Sequence, residues 1–512
     1  MDSRTPILVG SAQYVDRNSA SIESLSPTDI SHLVAEEAIR DASKSPGFRQ
    51  SIDILVSARL FEHSVKDVPM WPNPYGGPDN VPGAVAKRLC INPRHLVYAE
   101  VGGETPQRLV NQISERIFEG EISTALLTGS EALFTIRSGR RTGLEFDWNE
   151  EIGGCFDDLW PEHQMSNEYE MKHGITFPVQ VYALFDQVRR KKIGLSLEEY
   201  RQAIAELLVP FSQIASNNPY AQFPKEYAAE FIASFSEENF PICEPYSKWM
   251  VAQDAVNQGA AVVLTSVAKA TEFGIPESQW VFLKAYSDSD ELLVTHRPDL
   301  SKSPAQDFAL SSALDRSGLQ VNDLSFIDLY SCFPIAVWTA RESLGLGSEQ
   351  NIPLTVTGGL PFFGGPGNNY SLHAIAQVVR LLRGHRENKS ALVAANGGYL
   401  SKHSVGIYSS TLDEAWKINA ASSVQNPDNN AISVIEKASG AALIESYAAV
   451  YKKAKEETGF IVGTLNESGE RFLAMPCAKN PRALAMLFDG DPIGKEISVH
   501  FDETGLNFFS PK

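Results

Sequence analysis

The sequence has no long apolar run and no surplus of basic residues. Its hydrophobic stretches fall well short of the roughly 20 residues that cross a bilayer, so no membrane partner is expected. Lys and Arg number 44 against 63 Asp and Glu, which gives a formal net charge of −19. Surfaces that bind phosphate backbones need clustered cations, so no nucleic-acid partner is expected either.

Cysteine is also scarce, with five residues that are scattered and form no Cys-x-x-C pair. They are Cys90, Cys155, Cys243, Cys332 and Cys477. This pattern excludes a disulfide framework, predicts no metal site and is typical of a reducing compartment. The first residues lack the apolar core of a secretory signal, and the last three are not a peroxisomal address, so we expect a cytoplasmic protein.

Apolar strands alternate with helical patterns, which predicts an α/β fold with a parallel or mixed sheet covered on both faces. One unit recurs: a helix that ends at Gly120 precedes the apolar run 124–129, and a helix that ends at Gly384 precedes the run 391–395. The repeat indicates an internal duplication with pseudo-twofold symmetry. We therefore expect a site between the two halves, where two helix N-termini converge.

Composition divides the rest of the chain. Residues 1–412 form the duplicated domain, and residues 135–245 are rich in aromatics, Asn and Pro, which is typical of a long insertion or lid. Residues 413–430 have the composition of a linker. Residues 431–512 alternate short apolar runs with turn signals and predict a small all-β barrel.

The stretch Asp328–Pro334 places Cys332 between a predicted strand and a predicted helix. At such a turn, backbone N–H groups and the helix dipole favour a thiolate, which is the reactive form of cysteine. The alternative is that Cys332 is a buried small hydrophobe that only packs.

Several motifs carry a family resemblance. They are Thr128-Gly129-Ser130-Glu131, Asn257-Gln258-Gly259-Ala260-Ala261, Leu-Tyr-Ser-Cys-Phe-Pro at 329–334, and the glycine-rich stretch 358–370. Together they resemble the thiolase superfamily, in the branch of sterol-carrier-protein thiolases, and most closely thiolase-like protein type 1. The resemblance implies a duplicated, layered α/β/α/β/α fold with an inserted loop domain and a C-terminal β-barrel. It also implies a monomer or homodimer with an acyl thioester of coenzyme A as the small-molecule substrate and no bound cofactor.

The same resemblance shows what is missing. Gly103 stands where thiolases carry the nucleophilic cysteine, Gly365 where a histidine belongs, and Asn396 where a third motif has cysteine. Of the usual catalytic residues only Cys332 remains, in Tyr330-Ser331-Cys332-Phe333. Glycine cannot accept an acyl group, so standard thiolysis or condensation is not expected.

A reaction other than thiolysis or condensation would use Cys332 as nucleophile or acid/base, with His373 or His403 as its partner. The substrate would be held by Tyr330, Glu104, Asn369, Asn396 and the backbone of Gly364 and Gly365. Each has a structural alternative: a packed histidine, a turn-forming asparagine, or a glutamate that only favours a helix N-terminus.

Three functional hypotheses follow. The chain performs a non-standard acyl transfer or a thioester or β-diketone cleavage, or it binds coenzyme A or acyl chains without turnover, or it serves as a scaffold for a partner enzyme.

Overall fold

The computed structural model describes residues 1–66, 70, 73–161, 165–347, 352–383, 387–418 and 430–512. The first half contains four strands and four helices: β1 (Pro6–Val15), α1 (Pro27–Ala42), β2 (Ile54–Ser57), α2 (Val81–Leu89), β3 (His95–Tyr98), α3 (Thr105–Glu119), β4 (Thr124–Ala132) and α4 (Leu133–Thr142). Local sequence determines where several of these helices begin and end. Ser26 caps α1 in a capping box with Asp29, and Gly120 in the left-handed conformation ends α3.

The irregular region follows as short strands and helices: β5 (Asp157–Asp158), α5 (Glu168–Lys172), α6 (Pro178–Lys192), α7 (Leu197–Asn217), α8 (Ala229–Ala233), β6 (Pro241–Cys243) and β7 (Tyr246–Ser247). Strand β8 (Asn257–Ser266) and helix α9 (Val267–Glu272) return to the first half. Every residue of β4 and β8 is buried, which agrees with a sheet covered on both faces.

The second half repeats the plan: β9 (Val281–Asp290), α10 (Pro304–Ser317), β10 (Phe326–Leu329), α11 (Pro334–Ser343), α12 (Gly359–Phe362), α13 (Tyr370–Leu382), β11 (Ser390–Gly397) and β12 (Lys402–Ser409). The ten strands follow the order β10-β11-β12-β9-β1-β8-β4-β2-β3-β5. Strands β1 and β9 pair antiparallel at the centre of this order. Counted outward from them, the first half runs β1-β8-β4-β2 and the second half runs in the corresponding order β9-β12-β11-β10. The duplication predicted from the repeated helix–glycine–strand unit is confirmed.

The halves stack as five layers. Helices α3 and α13 lie between the two half-sheets, and their apolar faces form one buried core with both. Helix α1 covers the outer face of the first half-sheet, and α10 covers that of the second. The N-termini of α3 and α13 meet, because Ser371 Oγ donates a hydrogen bond to Gly103 O. The predicted convergence of the two helix starts is thus observed.

The C-terminal region contains β13 (Gly440–Lys452), β14 (Lys455–Leu465), β15 (Arg471–Pro476), α14 (Pro481–Phe488), β16 (Glu496–Phe501) and β17 (Asn507–Pro511). The pairings β13–β14, β14–β15, β15–β17, β17–β16 and β16–β13 close a five-stranded barrel, as predicted. Closure leaves no free edge among these strands. Residues 419–429, most of the predicted linker, lie outside the described residues.

The barrel packs on the segment after β9 and on helix α6 of the irregular region through buried polar contacts. Arg471 Nη1 donates to the carbonyl oxygens of Thr295 at 3.0 Å and Arg297 at 2.5 Å, and Ser446 Oγ donates to Leu184 O in α6 at 2.7 Å. In the part of the chain that the structure describes, no helix is long and apolar enough to cross a membrane.

Candidate functional site

The turn that carries Cys332 follows β10, and Asp328, the third residue of that strand, links it to neighbouring segments. This buried carboxylate accepts hydrogen bonds from Thr355 Oγ1 at 2.9 Å, Val356 N at 2.9 Å and Tyr370 Oη at 3.1 Å. Burial raises the pKa of Asp328 to about 6 despite these donors. Helix α11 then begins at Pro334, so the predicted strand–turn–helix arrangement around Cys332 is confirmed.

The Cys332 thiol is buried and protonated. Burial raises its pKa to about 12, and hydrogen bonds from Tyr182 and Asn396 oppose this shift without cancelling it. The Asn396 amide nitrogen lies 3.6 Å from Sγ. The expectation that the helix N-terminus maintains a thiolate is therefore wrong for the free protein, because loss of water outweighs the dipole and the donors.

Tyr330 fills the space beside Gly103, the position where thiolases carry the nucleophile. A Cβ atom at residue 103 would lie 2.6 Å from Asn396 O and closer still to the Tyr330 hydroxyl oxygen. Both contacts are shorter than side chains tolerate, so residue 103 must be glycine while Tyr330 keeps this position. The absence of a nucleophile at residue 103 is therefore tied to the packing, because the Tyr330 phenol occupies the space that its side chain would need.

Gly365, the other substituted position, is under no such restriction. A Cβ there would meet its nearest neighbours, Ala252 Cβ and Gln253 O, at 3.4 Å. Its neighbour Gly364 has φ +119°, and a side chain there would come within 2.5 Å of Gln258 Oε1. Glycine is thus required at 364 by backbone conformation and close approach, whereas a methyl group at 365 would make only ordinary van der Waals contacts.

The two predicted histidine partners do not hydrogen-bond Cys332 in the described part of the chain. His373, in α13, shares a hydrogen bond of 3.0 Å with Gln13 Oε1 and packs against the Phe363 ring. His403, in β12, shares a hydrogen bond of 3.1 Å with Ser303 Oγ. Burial lowers the pKa of each to about 3. Both are neutral, packed side chains in this state, so the expected cysteine–histidine pair is not formed, and His403 does not lie in a surface loop.

Glu104 is fully buried beside this site, and neither carboxyl oxygen has a hydrogen-bond partner among the described residues. Its Oε1 lies 3.9 Å from Lys402 Nζ, and its carboxyl group packs against the backbones of Gly102 and Gly397. Burial raises the pKa of Glu104, and the nearby Lys402 reduces that shift. Glu104 is the N-cap residue of α3, and its side chain makes no capping hydrogen bond, so any effect of its charge on this helix is electrostatic alone.

The two predicted asparagines differ in their surroundings. Asn396 Nδ2 donates to Tyr182 Oη at 2.8 Å, and its Oδ1 has no partner in the described structure. Neither side-chain amide atom of Asn369 has a hydrogen-bond partner among the described residues, and the side chain packs against Gly129. Buried amides without partners cost free energy, so these groups have capacity to bind a polar ligand.

Sequence reasoning missed two side chains of the irregular helix α6. Tyr182 Oη accepts from Asn396 Nδ2 and from Leu400 N at 2.8 Å, and its ring stacks on Phe333. One turn later, buried Asp186 accepts a hydrogen bond from Ile335 N at the start of α11. Asp186 also accepts hydrogen bonds from the hydroxyl groups of Tyr200 and Tyr246.

Asn368 was missed as well. Its Oδ1 accepts from Gly102 N at 3.0 Å and so supports the turn before α3. Its position next to the predicted Asn369, in a glycine-rich turn, was the available signal. For Tyr182 and Asp186 no local signal exists, because their contacts come from segments distant in sequence.

The structure therefore brings Tyr330, Cys332, Asn396 and Glu104 together and leaves His373 and His403 with other partners. The assembled groups are a phenol, a protonated thiol, an amide and a buried carboxyl. They provide proton donors and acceptors but no activated nucleophile.

Comparisons with known proteins agree with this fold. The thiolase-like protein type 1 additional C-terminal domain matches residues 423–504. A crystal structure of a monomeric SCP2-thiolase-like protein type 1 from Mycobacterium smegmatis is 33% identical, covers 100% of both chains and has a TM-score of 0.84.

Two relatives are more distant. An acetyl-CoA acetyltransferase from Methanothermobacter thermautotrophicus is 27% identical over 237 residues, which span 42% of this chain and only 57% of that protein. The Ltp2-ChsH2(DUF35) aldolase is 18% identical, with 79% of this chain and 98% of that chain covered and a TM-score of 0.58, which is a likeness of fold alone.

Proposed function

The chain belongs to the SCP2-thiolase-like proteins of type 1, and we propose that it binds an acyl thioester of coenzyme A without transferring the acyl group to a cysteine. The observation that carries this proposal is the Tyr330 side chain, which occupies the place of the family nucleophile beside Gly103. The relation to an acetyl-CoA acetyltransferase supports a thioester as the ligand.

Cys332 is a poor substitute for the lost nucleophile. Acyl transfer needs a thiolate and a base that takes the thiol proton. The pKa of Cys332 is about 12, and its hydrogen-bonding neighbours, Asn396 and Tyr182, are an amide and a phenol. Because neither group is basic near neutral pH, an acyl-enzyme at Cys332 is not expected.

The remaining polar groups suit binding of a thioester. The turn before α3 presents backbone N–H groups at a helix N-terminus, and Asn396 Oδ1 and the Asn369 amide have no protein partner in the described residues. The glycines at 364 and 365 let the backbone approach a narrow chain such as pantetheine closely.

Calorimetry with acetyl-CoA, followed by intact-mass spectrometry, tests this function. We expect saturable binding and an unchanged protein mass after prolonged incubation. A Gly365→Ala variant should weaken binding because the added methyl group, which its neighbours at 3.4 Å tolerate, would keep the ligand from the backbone, whereas Gly47→Ala, at an exposed position, should not. Absence of binding, or a stable acetyl adduct on any cysteine, would refute the proposal.

Glu104 favours a second function. A fully buried carboxyl with no hydrogen-bond partner costs stability, and burial that raises its pKa makes it a stronger base than an ordinary glutamate. Such a group can cleave a β-hydroxyacyl thioester without a covalent intermediate. Ionised Glu104 would remove the hydroxyl proton, the carbon–carbon electron pair would pass to the α-carbon, and the Cys332 thiol would protonate that carbon. The Cys332 thiolate would then regain a proton from the Glu104 carboxylic acid, which restores both groups.

Chromatographic detection of the carbonyl product from a β-hydroxyacyl-CoA tests this second function. We expect Glu104→Gln to abolish product formation while acetyl-CoA binding persists. The control Glu100→Gln, at a more exposed carboxylate near the same lysine, should retain it. If wild-type protein forms no product from any β-hydroxyacyl-CoA tested, binding without turnover is the remaining function.

A further inference from the structure

A separate cavity of about 450 Å³ lies where β2 and β3 end, and it contains none of the residues of the Cys332 turn. We call it the Arg59 cavity. Its principal walls are Arg59, His63, Lys66, Tyr98, Phe156 and Trp160. The strand edge beside it is closed by the chain itself, because β5 pairs with β3 and brings Asp158 opposite Tyr98.

Arg59 is the central side chain of the cavity and is only 3% exposed. Its guanidinium group lies between two rings, 4.4 Å from the centre of Tyr98 and 4.0 Å from that of Trp160. Nε donates to Ala99 O at 2.9 Å, and Nη2 donates to Leu159 O and to Asp158. Nη1 makes no hydrogen bond with any described residue, so this buried cation has a donor left for a ligand.

The acidic side chains around the cavity already have hydrogen-bond partners. Asp158 accepts from Arg59 and from Trp160 Nε1 at 3.0 Å. Asp79 accepts from the backbone nitrogens of Ile152 at 2.8 Å and Gly153 at 3.1 Å. Lys66, in contrast, makes no ion pair or hydrogen bond within the described part of the chain. Arg59 is paired with Asp158, whereas the Lys66 ammonium group remains available to a ligand.

His63 is positioned by two protein groups. Its Nδ1 lies 2.8 Å from Tyr98 Oη, and that oxygen already accepts from Leu60 N at 3.0 Å. The Tyr98 hydroxyl proton is thus available for His63 Nδ1, which places the ring proton of the neutral histidine on Nε2, 3.6 Å from Glu62 Oε1. The donors left for a ligand are therefore those of Arg59 and Lys66, and they border a space whose other walls include the rings of Phe156 and Trp160.

We propose that the Arg59 cavity binds a ligand composed of a flat ring that carries one or two negative charges. The charges would meet Arg59 Nη1 and Lys66, and the ring would pack beside Trp160 and Phe156. A free aromatic acid and the adenosine bisphosphate end of a coenzyme share this chemistry. The proposal does not depend on the thioester function, because the two sites have no residue in common.

The test is calorimetric titration of the full chain with 2-naphthoate, with adenosine 3′,5′-bisphosphate and with neutral 2-naphthol. We expect at least one anion to bind about tenfold more tightly than 2-naphthol, because only the anions form charge-assisted hydrogen bonds with Arg59 Nη1 and Lys66. Tighter binding of naphthoate would identify the ligand as an aromatic acid, and tighter binding of the bisphosphate would identify it as a nucleotide.

Lys66→Glu is the decisive variant, because Lys66 is exposed and its replacement leaves the core unchanged. We expect it to weaken anion binding about tenfold. The matched control Lys479→Glu changes the net charge equally at an exposed barrel position and should alter the Kd less than about twofold. Equal binding of 2-naphthol and both anions, equal effects of the two variants, or no binding of either anion would overturn the proposal.

Discussion

Replacing Gly103 with alanine tests whether Tyr330 really excludes a side chain from the nucleophile position. The added methyl group would lie 2.6 Å from Asn396 O, which belongs to the backbone of β11, and closer still to Tyr330 Oη. Overpacking of this kind costs about 1–3 kcal/mol, and we expect the upper end because the methyl group would overlap both the buried Tyr330 phenol and a backbone oxygen.

The tyrosine contribution is separated by a double-mutant cycle. In a Tyr330→Ala background only the contact with Asn396 O remains, so Gly103→Ala should cost about 1 kcal/mol there. The coupling free energy between the two positions is then about 2 kcal/mol in favour of the double variant. Urea unfolding followed by tryptophan fluorescence measures it as midpoint shifts at constant slope.

Gly365→Ala is the matched control, since it places the same methyl group at a second family position with its nearest neighbours at 3.4 Å. We expect it to change the free energy of unfolding by less than about 1 kcal/mol. The reasoning fails if Gly103→Ala unfolds at the wild-type urea concentration. It also fails if the alanine costs the same with and without the Tyr330 ring.

Three further predictions concern ionisable groups. Iodoacetamide at pH 8 should modify Cys332 about 10³-fold more slowly than exposed Cys155, since burial raises the pKa of Cys332 to about 12; peptide mass mapping measures this. Glu104→Gln should be at least as stable as wild type at pH 8 in urea unfolding. The pKa of Glu104 is raised in the folded state, so ionisation opposes folding as pH rises above the unfolded value. Burial raises the pKa of Asp186 to about 6, so wild-type stability should decline from about pH 4 to 6 through this group. Asp186→Asn should remove that slope and cost about 1–3 kcal/mol, because tyrosine hydroxyls lose an acceptor; the measurement is unfolding free energy against pH.

Each of these has a control and a contrary result. In 8 M urea all five cysteines should react alike, and preferential labelling of Cys332 in the native protein would show an activated thiolate. Glu100→Gln should leave the pH dependence unchanged, and a loss of stability in Glu104→Gln at pH 8 would show that the ionised carboxylate is bound favourably. For the Asp186 prediction, Asp157→Asn at an exposed position is the control. If Asp186→Asn leaves the slope of unfolding free energy against pH unchanged, another group causes the pH dependence.

Much of the fold was predictable because its signals are local. Helix α3 followed by Gly120 and β4, and α13 followed by β11, repeat the same pattern in the chain, and the repeat reappears as the mirrored strand order. The strand–turn–helix around Cys332 was likewise visible in the apolar run before it and in Pro334 after it. Hydrophobic periodicity and helix-end residues act over a few positions, so one sequence reveals them.

The site was less predictable because its properties depend on contacts between distant segments. His373 and His403 were expected at the same sheet edge as Cys332, but their rings form hydrogen bonds with Gln13 and Ser303. Tyr182 reaches the site from a helix in the irregular region, where no motif marks it. Which side chains share a buried space is decided only when the halves and the insertion pack.

The sequence by itself determined the duplicated plan, the barrel and the absence of a cysteine at residue 103. Only the tertiary structure decided what that absence means. It placed the Tyr330 ring beside Gly103, kept the Cys332 thiol protonated and left the Glu104 carboxyl buried without a hydrogen-bond partner among the described residues. The physical reason is that protonation and steric exclusion depend on desolvation and close packing, which arise from residues far apart in the chain.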